Sequence, residues 1–261
     1  MSTKTKLMNT KNKIALITGG SRGLGKNMAI AIARKGTDVV ITYNSSKEKA
    51  DEVVSEIESL GQRAYAFQLD TRNVSTFDAF MEDVTGQLQD KTGSPNFDFL
   101  INNAGTGLYA PIDAVTEPQL DEIFDIHYKG VFFLTQKALP FINNGGGVIN
   151  ISSGLTRFTL PGSSVYAAAK TAVETFTRYL AKELGDRKIR ANVVAPGAIE
   201  TDFGGGRTRD NKDINAMIAG NTALGRAGLP DDIGGVVAFL CTEEAYWINA
   251  QRLEVSGGQS L

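Results

Sequence analysis

From Lys13 onward, short apolar runs alternate with longer amphipathic stretches. KIALIT (13–18), VVIT (39–42), AYAFQL (64–69), FDFLIN (97–102), GVINIS (147–152) and IRANVVA (189–195) are strand-length runs, and RLEV (252–255) is a late, shorter one. Lys26 to Arg34 and Ser46 to Leu60 space their apolar residues as helices do, and another helix is expected from about Val74. FDIHYKG (124–130) also lies in a helix-like stretch, whereas Asn143 to Gly147 read as a loop before the fifth strand. Strands joined by helix-length segments pair in parallel through right-handed crossovers. The expectation is an α/β fold, a doubly wound parallel sheet of about seven strands with helices on both faces. Residues 13–261 are expected to form one domain. A Gly-rich, polar stretch at about 202–226 breaks the rhythm beyond a strand end, where such sheets bind ligands, and is a candidate substrate lid.

Composition narrows the function more than the fold. The opening MSTKTKLMNTKNK is polar and basic without the apolar run of a secretory signal, so residues 1–12 read as a flexible tail. No apolar run is long enough to span a bilayer, and a net charge of −2 supplies no field for nucleic acid. A cytoplasmic protein without membrane or nucleic-acid partners is expected. The one cysteine, Cys241, follows an apolar run and reads as a buried hydrophobe. With a single Cys and a single His, the Cys/His zinc sets are impossible, and no metal is expected.

Two segments carry candidate chemistry. TGGSRGLG (18–25) joins the first strand to the first helix. Gly19, Gly23 and Gly25 remove the Cβ atoms that would block a tight turn and the close approach of a diphosphate, which the helix N-terminus then attracts. The spacing differs from G-x-G-x-x-G, and a methyltransferase could use a similar loop. In YAAAK (166–170), Tyr166 and Lys170 share one helix face, where the ammonium favours the phenolate. Taken alone, such a pair is common on solvated helices.

The ordered set Thr18-Gly19-x3-Gly23-x-Gly25, Asn102-Asn103-Ala104-Gly105, Ser153, Tyr166, Lys170 and Pro196-Gly197 with Thr201 resembles the short-chain dehydrogenase/reductase family in its one-domain form. The resemblance runs from Lys13 to Gly258. It implies a Rossmann-type fold, a nicotinamide dinucleotide cofactor, and hydride transfer between that cofactor and a small-molecule ketone or secondary alcohol. Tyr166 is then the proton donor in reduction, Lys170 holds the nicotinamide ribose and stabilises the phenolate, and Ser153 hydrogen-bonds the substrate oxygen. Thr18, Gly19, Ser21, Arg22, Gly23, Leu24 and Gly25 line the diphosphate side. Asp70 receives the adenine amino group, Asn103, Ala104 and Gly105 pass the adenosine ribose, and Pro196, Gly197, Ile199 and Thr201 approach the carboxamide. The family also implies a homo-oligomer, a tetramer or a dimer.

Sites that prefer NAD place a carboxylate after the second strand, but Tyr43, Asn44 and Ser45 stand there with no acid before Glu48. Arg22 could meet a 2′-phosphate, with Lys47 as a second cation, so NADP(H) is favoured over NAD(H). The C-terminal half resembles 3-oxoacyl-[acyl-carrier-protein] reductases, which tend to carry basic residues at the mouth; Arg187 is a candidate for that role. Where the family usually has asparagine, this chain has His127, its only histidine. The resemblance makes it a part of the proton relay beside Lys170, in which a neutral imidazole is expected. A nucleotide-binding regulator with impaired catalysis is the alternative of a different class.

Overall fold

The computed structural model describes residues 12–261, so the expected tail falls, apart from Asn12, outside the described residues. The chain runs β1 (Ile14–Ile17), α1 (Gly23–Ala33), β2 (Asp38–Tyr43), α2 (Lys47–Ser59), β3 (Ala64–Gln68), α3 (Phe77–Thr92) and β4 (Phe97–Asn102). It continues through α4 (Glu117–Phe124), α5 (Gly130–Ala138), β5 (Ile142–Ile151), α6 (Ser164–Glu183) and β6 (Arg190–Pro196). Then come α7 (Arg207–Asp210), α8 (Lys212–Gly220), α9 (Pro230–Leu240) and β7 (Arg252–Val255).

The seven strands form one sheet in the order β3-β2-β1-β4-β5-β6-β7, with every pairing parallel. Ala15, Ile17, Val39 and Ile41 point into one core with residues of α1, α2 and α9. Ile14, Leu16, Val40 and Leu100 point into the other, with residues of α3, α5 and α6. Burial on both faces explains why these strands are continuously apolar rather than alternating. The order reverses between β1 and β4, so the crevice at their C-terminal ends is the expected ligand site. Cys241 is buried at the end of α9, and burial pushes its thiol up to about 12.

Two segments differ from expectation. Asn143 to Gly147 is not a loop ahead of β5 but lies inside it, as a bulge. Phe97 pairs with Ile142 and Phe99 with Gly147, and Gly145 turns at φ 83°. A Cβ on Gly146 would come within 2.2 Å of the Asp98 carbonyl oxygen, so the bulge needs glycine there. The 202–226 stretch contains a 3₁₀ turn at Phe203–Gly206 and the helices α7 and α8. Gly204, Gly205 and Gly206 all take positive φ, and the Asn211 side chain caps α8 by accepting from the Asp213 and Ile214 amides at 3.0 Å each.

FDIHYKG is helical, but not regularly so. Between α4 and α5 the residues Asp125–Lys129 form a π-helical turn, closed by the Gly130 amide donating to the Asp125 carbonyl. The widened turn carries His127 inward, where it is 1% exposed. Gly130 is required at this point, since a Cβ would lie 2.2 Å from the Thr71 carbonyl oxygen.

Candidate active site

The Gly loop follows β1 and is held from three sides. The Thr18 hydroxyl accepts the Asn103 and Ala104 amides, both at 2.9 Å, and the Asn103 side chain donates to the Thr18 carbonyl at 2.8 Å. The Gly19 amide donates to the Thr42 hydroxyl at 3.1 Å. Gly19 and Gly23 adopt φ of 67° and 56°, and a Cβ on Gly25 would lie 2.0 Å from the Gly19 carbonyl oxygen. No side chain caps α1, whose first amides therefore stay available to an anion. Ser21 is buried within the loop, Leu24 packs against the core, and Thr201 is buried close to Gly23. This cradle fits the diphosphate of a dinucleotide.

Gly197, after β6, is pinned between Ser256 and Gln259, with no room for a Cβ, and Gln259 accepts the Ala198 amide at 2.8 Å. Pro196 closes the strand, and Ile199 bridges to Gly228. At the far end of the crevice, Tyr43 ends β2 and Asn44 and Ser45 are exposed beyond it. Asp70 bonds Arg72 through both carboxylate oxygens, which holds its carboxyl below the usual range and keeps it an acceptor. Lys47 is consumed by Asp51 at 2.7 Å, whereas Arg22 is exposed and forms no ion pair among the described residues. Arg187 is also consumed: it donates to Asn144 at 3.0 Å, to the Leu139 carbonyl at 2.8 Å and to the Ile142 carbonyl. It braces the start of β5 from just before β6, at the N-terminal ends of the strands and so opposite the crevice, and places no cation at the mouth.

The proton-handling groups converge on α6 and the π turn. Lys170, Val173, Thr177 and Leu180 form the buried stripe of α6, with Tyr166 one turn before Lys170. The Lys170 ammonium donates to the Ile151 carbonyl at 2.7 Å and sits 5.7 Å from the Tyr166 ring centroid. Burial pushes the Lys170 pKa down to about 7. Burial raises the Tyr166 pKa, and the Ser153 hydroxyl beside the phenol opposes that rise. Ser153 also accepts the Leu155 amide at 3.2 Å.

His127 stands edge-on to Tyr166, with ring centroids 5.0 Å apart at 85°. Its Nε2 lies 2.7 Å from the Thr106 carbonyl and 3.3 Å from the Thr106 amide; the much shorter carbonyl contact assigns the proton to Nε2 and leaves Nδ1 as an acceptor. Nδ1 is buried without a partner among the described residues. Burial, and then the nearby Lys170, hold the imidazole pKa well below its ordinary value, so the ring is neutral. Its Cε1 fills the place a Gly105 Cβ would take, at 2.5 Å.

Sequence reasoning missed a polar network beneath Ser153. Glu174 on α6 accepts from Ser152 at 2.6 Å, from Thr156 at 2.8 Å and from Arg252 at 2.8 Å. Arg252 also donates to the Ser153 carbonyl at 3.2 Å and to Glu254 at 2.8 Å. Arg157 clamps Glu254 and the Gln259 and Ser260 carbonyls, so it faces the C-terminus. These residues lie far apart in the chain, and no local spacing signals them.

A parallel sheet with a glycine cradle at its switch point, and a Ser153, Tyr166 and Lys170 cluster beside it, defines an oxidoreductase of the nucleotide-dependent kind. A family model described as enoyl-(acyl carrier protein) reductase matches residues 19–260. The chain is 35% identical to a hydroxynaphthalene reductase-like protein, Arp2, of Metarhizium guizhouense, over 94% of each chain. It superposes on LugOII, a promiscuous reductase that catalyses keto-reduction at C1 during lugdunomycin biosynthesis. That match has a TM-score of 0.90 at 37% identity, covering 95% of this chain and 98% of the other. The landomycin C-6 ketoreductase LanV, solved with bound NADP and rabelomycin, matches with a TM-score of 0.87 at 33% identity, covering 97% and 98%. The chain belongs to the short-chain dehydrogenase/reductase family. Among the described residues no helix is long and apolar enough to cross a membrane, and none group as a metal site.

Proposed function

We propose that the protein is an NADP(H)-dependent carbonyl reductase that reduces a small-molecule ketone to a secondary alcohol. The observation that carries this reading is the convergence of the Ser153 hydroxyl and the Lys170 ammonium on Tyr166. When bound, the nicotinamide supplies the hydride. Tyr166 donates its proton to the ketone oxygen as negative charge builds there, and the Ser153 hydroxyl hydrogen-bonds the same oxygen. Lys170, beneath the ring, stabilises the phenolate that remains.

The NADP(H) preference rests on the missing carboxylate after β2, on the Arg22 guanidinium, which has no ion pair among the described residues, and on the NADP bound by LanV. With Lys47 held by Asp51, Arg22 carries this role without a second cation. Fluorescence titration with NADPH and NADH tests it: tighter NADPH binding is expected, and Arg22→Ser narrows the difference. A preference for NADH contradicts it. Arg187 gives no support to an acyl-carrier substrate. His127 acts as a neutral relay and site-shaping group, its Nδ1, without a partner among the described residues, being open to accept from a water. Residues 202–226 serve as the substrate lid, and the exposed Tyr246–Trp247 stack near the edge strand β7 supports assembly into a dimer or tetramer.

A further inference from the structure

One aromatic ring packs directly on the ring of Tyr166, and two more stand on neighbouring segments, although proton transfer requires none of them. The Phe203 ring lies 5.8 Å from the Tyr166 ring, tilted by 57°, and the residue is 48% exposed. Tyr109, on the loop after β4, is 58% exposed and carries the Arg207 guanidinium 4.7 Å from its ring centroid. Phe158 lies against Gly154, the residue after Ser153.

Each ring is backed by a glycine. An added Cβ would come within 3.2 Å of Phe203 from Gly107, 2.7 Å of Tyr109 from Gly162, and 2.8 Å of Phe158 from Gly154. Backbone without side chains lets the rings lie close against it and turn an apolar face outward. Half-exposed rings, Phe203 against the Tyr166 ring and Tyr109 on the loop after β4, have the chemistry of a ligand wall, where flat aromatic groups stack more favourably than puckered aliphatic ones of equal area. The charge at the rim fits the same ligand. Arg209 is taken up by Asp202 and Asp210, but Arg207 has no carboxylate partner among the described residues. It leaves a cation at the outer edge for the oxygen of a ring hydroxyl.

Resting on the ketone-reductase reading, we propose that the site selects flat aryl and fused-ring ketones, with Phe203 as the specificity-determining residue and the Tyr109–Arg207 pair at the rim. The pair joins the loop after β4 to the segment that carries Phe203, and the two segments together complete the aromatic wall. Phe203 touches no reacting atom; it discriminates by the shape of what reaches Tyr166.

The test compares 1-tetralone with 1-decalone, which share a bicyclic skeleton and differ in one flat ring. NADPH oxidation is followed for the wild type, Phe203→Leu and Phe203→Trp. Loss of the flat face in Phe203→Leu is expected to lower the tetralone-to-decalone ratio of kcat/KM by about three- to tenfold, with Phe203→Trp keeping it. An unchanged ratio in a Phe203→Leu protein of wild-type Tm overturns the aromatic selection while leaving the reductase reading intact. Absence of NADPH oxidation with either ketone and with a broad carbonyl panel overturns both.

Discussion

The imidazole of His127 stands edge-on to the ring of Tyr166, 5.0 Å between centroids, with its Nε2 held by the Thr106 carbonyl and its Nδ1 unpaired among the described residues. A protonated ring here would place a second cation beside Lys170 in a buried space. The physical consequence is a histidine that stays neutral. In untagged protein its ¹⁵N resonances belong to the only histidine of the chain, so they can be read without assignment. They are expected to report the Nε2–H tautomer with no titration from pH 8 down to 5. A midpoint near 6.5 contradicts this. His127→Asn should retain nucleotide binding while shifting turnover or its pH profile.

Lys170 makes stability depend on pH. Its pKa is about 7 in the fold and near 10.5 in the unfolded chain. Between those values the unfolded chain holds a proton that the folded chain lacks, so this group's contribution to stability rises with pH. The slope is at most about 1.4 kcal/mol per unit. Thermal melts of the nucleotide-free protein from pH 7 to 9 should show a component of this sign, and Lys170→Met should remove it. A slope that survives the substitution assigns the effect to other groups.

Arg252 is expected to matter although it lies on the edge strand. It joins Glu174 and Glu254, whose side chains are 11% and 19% exposed, to the Ser153 carbonyl. Arg252→Gln leaves the largely buried Glu174 without its cation, while Glu254 keeps Arg157. Partial solvent access reduces the cost to about 1–3 kcal/mol, below that of a sealed pair. A Tm several degrees lower is expected, together with reduced turnover, and adding Glu174→Gln should restore part of the stability. An unchanged Tm in Arg252→Gln refutes the network's role.

The fold was legible because its strands are buried on both faces and so appear as unbroken apolar runs between helix-length segments. The Gly loop was legible because its glycines are demanded locally, by positive φ at Gly19 and Gly23 and by the contact of Gly25 with the Gly19 carbonyl. Tyr166 and Lys170 share a helix face that their spacing already announced. The β5 bulge was hidden because its register depends on how β4 pairs, not on Asn143–Gly147 alone. Helix α7 has only four residues, too few for an apolar period. The loss of Lys47 to Asp51 and of Arg187 to carbonyls at the start of β5 was equally out of reach, since a charge in sequence does not disclose its partner. Phe203 and Tyr109 stood in segments without periodicity, and only the folded chain brings the lid to the β4 loop.

The central claim is that Tyr166 is the proton donor of a nucleotide-dependent reductase. Its most direct measurement is the single-turnover rate of NADPH oxidation with a ketone substrate in Tyr166→Phe, made alongside nucleotide titration of the same protein. The substitution removes one hydroxyl and leaves the ring against His127. The account predicts wild-type NADPH affinity with a rate lower by about 10²–10⁴-fold, the scale of a positioned general acid. A Tyr166→Phe protein that turns over at the wild-type rate would contradict it.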